Sequence, residues 1–243
     1  MHDCCKQGHI HTGTPTGTLT QISGRETYVK KHSNSNGKAI LFIHDAFGLP
    51  FINNQLLVDT FSEEAQADVY LPDFFNGDGV PIQVLSNMSS FDFNPWRARN
   101  GRDKFPIIES YTRALKEQEG IKKLVVIGFC WGGWGSIQLG QLDDLVDGVV
   151  LAHPSMLEIP SDIEALKKPS LFICAEVDHA FSEEARLLSQ SILENKEMDA
   201  TFKLWNGVRH GFAVRFDTED KIAAQAAEQA KDEAVKFFKR ILQ

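Results

Sequence analysis

Residues 125–135 read VVIGFCWGGWG, a run of β-branched residues that breaks into glycines around a cysteine. β-branched residues favour a pleated strand, and closely spaced glycines permit a sharp reversal. The spacing Gly128-x-Cys130-x-Gly132 predicts a strand, a tight turn with Cys130 at its tip, and a helix that starts at once. It is the cysteine version of the G-x-S-x-G elbow, whose tip residue needs small neighbours two positions before and after it. A cysteine there also meets a helix N-terminus, where free N–H groups and the helix dipole favour a thiolate. The competing reading is a buried small hydrophobe beside a glycine turn, since free cysteine is among the most buried residue types.

Outward from this stretch, short apolar runs alternate with longer segments of helical period. Strands are expected at 38–45, 68–75, 122–130, 147–154, 169–178 and 200–208, and helices at 51–67, 105–119, 161–167, 182–195 and 219–242. Residues 76–104 show no sustained period and are expected to be irregular. Residues 1–24, polar and rich in Thr and Gly, are expected to form an irregular N-terminal arm, and residues 25–243 a single domain. Strands apolar on nearly every residue and alternating with helices indicate an α/β fold. Its central sheet is mostly parallel, with helices on both faces. In open sheets of this kind the reactive groups gather at the carboxyl ends of the strands.

Composition narrows the partners. The 243 residues are 42% hydrophobic and carry a formal net charge of -8, which argues against nucleic acid, a ligand that selects clustered Lys and Arg. No apolar run approaches the roughly 20 residues of a membrane span, and the start of the chain lacks the apolar core of a secretory signal. A cytoplasmic protein is expected, with nuclear access open and no membrane partner. Four cysteines are too few for a disulfide scaffold in a chain this long. Nothing in the pattern assigns an oligomeric state.

A nucleophile of this kind needs a base and a group that orients it. In elbow-type enzymes the chain order is nucleophile, acid, histidine. Asp178 closes the run SLFICAEVD and His210 follows ATFKLWNGV, both at expected strand ends and in that order. His44, His153 and His179 also fall near strand ends, and Glu176 and Asp147 are weaker candidates for the acid. Backbone donors must receive the charge that develops on an attacked carbonyl oxygen. The residue after the nucleophile, Trp131, and Ala46 in HDAFG are the candidates.

The segments HDAFG (44–48), GFCWGG (128–133), AEVDHAF (175–181) and RHGFAVR (209–215) together resemble the dienelactone hydrolase family of the α/β-hydrolase superfamily. The arm CCKQGHIHTGTPTG (4–17) resembles the start of fungal members. The resemblance implies an α/β-hydrolase fold and a Cys130, His210, Asp178 triad acting on a small ester or lactone. It further implies an acid that controls the thiol, here Asp45 where the family usually has Glu, and arginines that hold a substrate carboxylate. Arg215 is the first candidate for that role, with Arg97, Arg99 and Arg102 as possible partners.

The expected reaction is ester or lactone hydrolysis through an acyl thioester, with no metal or organic cofactor. A non-catalytic binding or regulatory protein on the same scaffold is the alternative, since fold does not dictate function. Phe91, Phe93 and Trp96 are read either as walls for a small organic acid or as packing within the 76–104 segment. Cys4 and Cys5, with His2, His9 and His11 nearby, lack the usual CxxC ligand spacing, and no metal site is assigned to them.

Overall fold

The computed structural model describes residues 8–87 and 90–243. Cys4, Cys5 and His2 lie outside the described residues. Eight strands form one sheet in the order β1-β2-β4-β3-β5-β6-β7-β8. They are β1 (Thr18–Ile22), β2 (Arg25–Lys30), β3 (Lys38–Ile43), β4 (Asp68–Pro72), β5 (Lys123–Phe129), β6 (Gly148–Ala152), β7 (Ser170–Val177) and β8 (Ala200–Arg209). From β4 through β8 all neighbours are parallel, whereas β1–β2 and β2–β4 pair antiparallel.

The irregular arm expected over residues 1–24 therefore ends earlier, because Thr18–Ile22 is a strand. Its hairpin turns on Ser23 (φ 51°) and Gly24 (φ 73°), with Ile22 opposite Arg25. Two consecutive residues at positive φ match the right-handed twist of the flanking strands. β1 shows a mostly exposed, polar edge, so hydrophobic alternation could not announce it.

The helices are α1 (Ile52–Ala65), α2 (Phe93–Arg99), α3 (Phe105–Gln118), α4 (Trp131–Gly140), α5 (Ser161–Glu164), α6 (Glu183–Asn195), α7 (Phe212–Arg215) and α8 (Lys221–Ile241). Helices α1, α7 and α8 pack on one another, as do α3 through α6, and the two groups cover the two faces of the sheet. In α8 the buried face carries Ala226, Ala227, Ala230, Ala234, Phe237 and Phe238, and Asp220 caps its start by accepting from the amides of Ile222 and Ala223. That apolar stripe at helical spacing, capped at its head, is what makes the segment a surface helix of the core. β3, β5 and β6 are buried on both faces, as parallel strands between two helical layers must be.

The segment expected to be irregular, 76–104, contains α2 and, among its described residues, 3-10 turns at Ile82–Ser86 and Arg102–Lys104. Asp92 caps α2 by accepting from the Asn94 amide at 3.0 Å. α2 lies against the carboxyl end of the sheet through Phe93 and Trp96, both buried. No helix of the described residues is long and apolar enough to cross a membrane.

Candidate active site

Cys130 stands between β5 and α4 with φ 52° and ψ -108°, a backbone that L-residues rarely adopt. Its amide donates to the Ala152 carbonyl at 3.0 Å, and its own carbonyl accepts from Gly133 and Ser155 at 3.0 and 2.9 Å. The glycines are demanded by contact. A Cβ on Gly128 would fall on the Gly132 carbonyl, and one on Gly132 would fall on the Ile43 carbonyl of β3. Rigid backbone on both sides thus holds the turn closed, and the strain at Cys130 is sustained by its surroundings.

His210 follows β8, and its Nδ1 lies 2.8 Å from Asp178 Oδ2 at the end of β7, with both side chains buried. The other carboxylate oxygen of Asp178 accepts from the amides of Ala180 at 2.8 Å and Phe181 at 3.1 Å. With both oxygens engaged, the carboxylate cannot swing away from the imidazole. Burial by itself would raise the Cys130 thiol, but the charge and hydrogen bonding of His210 and the charge of Arg215 outweigh it and lower the thiol below its ordinary range. Asp45 works the other way. Burial lowers His210, yet Cys130 and Asp178 together raise it well above the usual imidazole range. The pair therefore favours thiolate and imidazolium.

A cavity of about 320 Å³ opens over the sulfur, lined by Ala46, Phe93, Trp96, Arg97, Cys130, Trp131, Ser155, Met156, Ala180, His210 and Arg215. Trp131 begins α4, so its amide belongs to the first turn, which a helix leaves without internal acceptors. Its indole donates to the Asn100 carbonyl at 2.8 Å and so ties the elbow to the segment above it. Ala46, the second candidate backbone donor, lines the same cavity as Trp131.

Of the rival residues, His44, Glu176 and Asp147 are engaged with backbone groups. His44 is buried between the Asp45 carbonyl and the Phe74 amide. His153 packs edge-on against His210 with ring centroids 5.0 Å apart, and burial together with the charges of His210 and Arg215 holds it well below the ordinary imidazole range. His179 is exposed beside Asp178. Glu176 accepts from the Gly207 amide, and Asp147 from the Leu124 amide at the opposite end of the sheet.

Asp45 is fully buried; one of its oxygens accepts from the Phe47 amide at 3.2 Å, and the other lies 3.5 Å from Arg215 Nε. It influences the thiol through charge, while its closest cation is Arg215. The four arginines separate cleanly. Arg215 is buried and Arg97 exposed, and both line the cavity. Arg99 instead grips Asp78 and Arg102 grips Asp162, each through two nitrogens. Phe93 and Trp96 are cavity walls, and Phe91 packs on Phe93 from behind at 4.8 Å. Ser155, Met156 and Ala180 also face the cavity and escaped the sequence reading. Ser155 carried a signal, a polar residue just beyond the apolar run GVVLAHP.

A mostly parallel sheet with a strained Gly-x-Cys-x-Gly elbow at the end of its fifth strand, and an acid–histidine pair at the ends of the last two, has the α/β-hydrolase fold. The family model described as "Dienelactone hydrolase family" matches residues 26–242. The chain belongs to the dienelactone hydrolase family, and it is a carboxylic ester or lactone hydrolase. It is 34% identical over 235 residues to "Dienlactone hydrolase 1" of Gibberella moniliformis, covering 93% of this chain and 88% of that protein. It is 31% identical over 243 residues to "Hydrolase pyvD" of Aspergillus violaceofuscus, covering 98% and 96%. Its fold matches the crystal structure of a putative dienelactone hydrolase from Klebsiella pneumoniae with a TM-score of 0.70 at 14% identity, over 92% of this chain and 98% of that one.

Proposed function

We propose that the protein hydrolyses a small carboxylic ester or lactone, with Cys130 as nucleophile, His210 as general acid and base, and Asp178 holding the imidazole. The observation that carries this reading is the cysteine at positive φ at the base of a cavity whose wall includes a histidine bonded to a buried carboxylate. The thiolate attacks the carbonyl carbon, and the charge moves to the carbonyl oxygen, where the Ala46 and Trp131 amides receive it. As the C–O bond to the leaving group breaks, imidazolium protonates the departing alkoxide, leaving an acyl thioester and neutral imidazole. Imidazole then takes a proton from water, hydroxide oxygen adds to the thioester carbonyl, and the thiolate leaves with the carboxylic acid released. No step requires a metal or an organic cofactor.

The substrate class follows from the walls. Phe93, Trp96, Trp131 and Met156 favour a flat apolar body, and Arg215 and Arg97 offer cations to an anionic substituent. Arg215 would receive a carboxylate by exchanging Asp45 for it, and that exchange would change the charge beside the sulfur. Esters and lactones suit a thiolate better than amides, because a thiolate leaves from the tetrahedral adduct more readily than an amine.

The test is hydrolysis of activated aryl esters and unsaturated lactones by the wild-type protein and by Cys130→Ala. The variant should lose on the order of 10³-fold or more in kcat/KM. Equal rates would remove Cys130 from the mechanism.

A further inference from the structure

We infer that Ser155 is a further catalytic group, whose hydroxyl donates a hydrogen bond to the Cys130 sulfur while that sulfur is a thiolate. The inference rests on Cys130 being the nucleophile. Ser155 Oγ lies 3.7 Å from Cys130 Sγ, a hydrogen-bonding separation for sulfur, and Ser155 lines the same cavity. Among the described residues its hydroxyl has no other hydrogen-bonding partner.

The backbone fixes this placement. The Ser155 amide donates to the Cys130 carbonyl at 2.9 Å, the Cys130 amide to Ala152 at 3.0 Å, and the His153 amide to Ile173 at 2.7 Å. The loop after β6 is thereby stitched to the elbow. It turns through His153 at φ 36° and Met156 at φ 63°, and Pro154 fills the space that a Cβ on Gly133 would need. A hydroxyl on so constrained a loop stays beside the sulfur without a separate ordering cost.

A thiolate can only accept hydrogen bonds, so the hydroxyl proton must point at it. The bond stabilises the anion before attack and weakens once sulfur has joined the carbonyl carbon and the charge has passed to oxygen. Ser155 therefore increases the fraction of thiolate and slightly tempers the reactivity of each one. The other groups acting on this sulfur are His210 and Arg215, which favour the anion, and Asp45, which opposes it; Arg97 lines the cavity from α2 and His153 faces His210 from the loop after β6. A substitution at Ser155 replaces none of these side chains.

The experiment is the pH dependence of iodoacetamide alkylation, mapped to Cys130 by peptide mass spectrometry, in wild type, Ser155→Ala and Ser155→Thr. Ser155→Ala should move the midpoint up by about one pH unit, making labelling roughly tenfold slower below both midpoints and comparable above them. Ser155→Thr, which keeps the hydroxyl, should restore the wild-type profile, and kcat/KM for an activated ester should follow the same shifts. A Ser155→Ala profile that coincides with wild type overturns the inference, as do equal shifts in both variants, which would assign the effect to loop packing. Alkylation needs no substrate, so an unshifted midpoint defeats the role of Ser155 even where Cys130→Ala abolishes turnover. Full turnover by Cys130→Ala would instead defeat the nucleophile assignment and the catalytic role of Ser155 with it.

Discussion

The elbow after β5 and the segment between β4 and α3 face each other across the cavity, and they are held by opposite means. The elbow is held by exclusion: glycines bring three backbone segments into contact, leaving no room for a side chain at Gly128 or Gly132. The facing segment is held by a polar hub. Asp78 accepts from the indole of Trp96 through its carbonyl at 2.7 Å, and from Arg99 and Asn100 through its carboxylate. Contact with rigid backbone cannot be relaxed a little, whereas a partly exposed hydrogen-bonded hub can exchange its partners for water. On the mechanism proposed above, the chemistry falls on the side held by rigid backbone, and substrate selection on the side held by exchangeable hydrogen bonds.

Breaking the elbow should cost most. Gly132→Ala places a methyl group on the Ile43 carbonyl, and a loss of more than about 3 kcal/mol of folding stability is expected. Urea unfolding measures it; a loss below about 1 kcal/mol would mean that close packing does not hold the turn.

The acid beside the histidine comes next. Asp178→Asn keeps the size of the side chain but removes the charge that raises His210, and kcat/KM at neutral pH should fall on the order of 10²–10⁴-fold. Because the charges of His210 and Arg215 lower the Cys130 thiol, wild-type alkylation should persist below the pH range of an ordinary thiol. In Asp178→Asn the imidazolium is less favoured, so the labelling curve should move to higher pH. An unmoved curve would show that Asp178 does not act through His210.

The hub should give the smallest effect. Asp78→Ala frees Arg99 and Asn100, and a loss of about 1 kcal/mol in stability is expected, with KM for bulky aryl esters several-fold higher and kcat within about twofold. Thermal unfolding and steady-state kinetics on the same preparation check both. A fall in kcat comparable to that of Asp178→Asn would place the 76–104 segment within the reacting geometry and erase the contrast.

Much of this arrangement is legible in the chain. Hydrophobic runs give the parallel strands because a strand covered on both faces must be apolar on successive residues. The glycine spacing around Cys130 marks the elbow because only glycine tolerates such contacts, and strand-end positions mark Asp178 and His210. The β1–β2 hairpin is less visible. Its edge strand buries little, and its one local signal is the Ser23–Gly24 turn. Helix α2 is short, so periodicity has too few residues to act on, although Asp92 and Pro95 mark its first turn.

Covalent order alone determines the type of fold, the thiol and the order of its partners, because each depends on local sterics or on burial repeated along a segment. Which arginines face the cavity is decided only by tertiary structure: Arg97, Arg99 and Arg102 are near neighbours in sequence, yet Asp78 and Asp162 claim two of them from distant elements. The pairing of Asp45 with Arg215 and the approach of Ser155 to the sulfur are likewise tertiary. Each joins segments that meet only when parallel strands bring their carboxyl ends together, and no periodicity in the chain encodes the angle at which two side chains then meet.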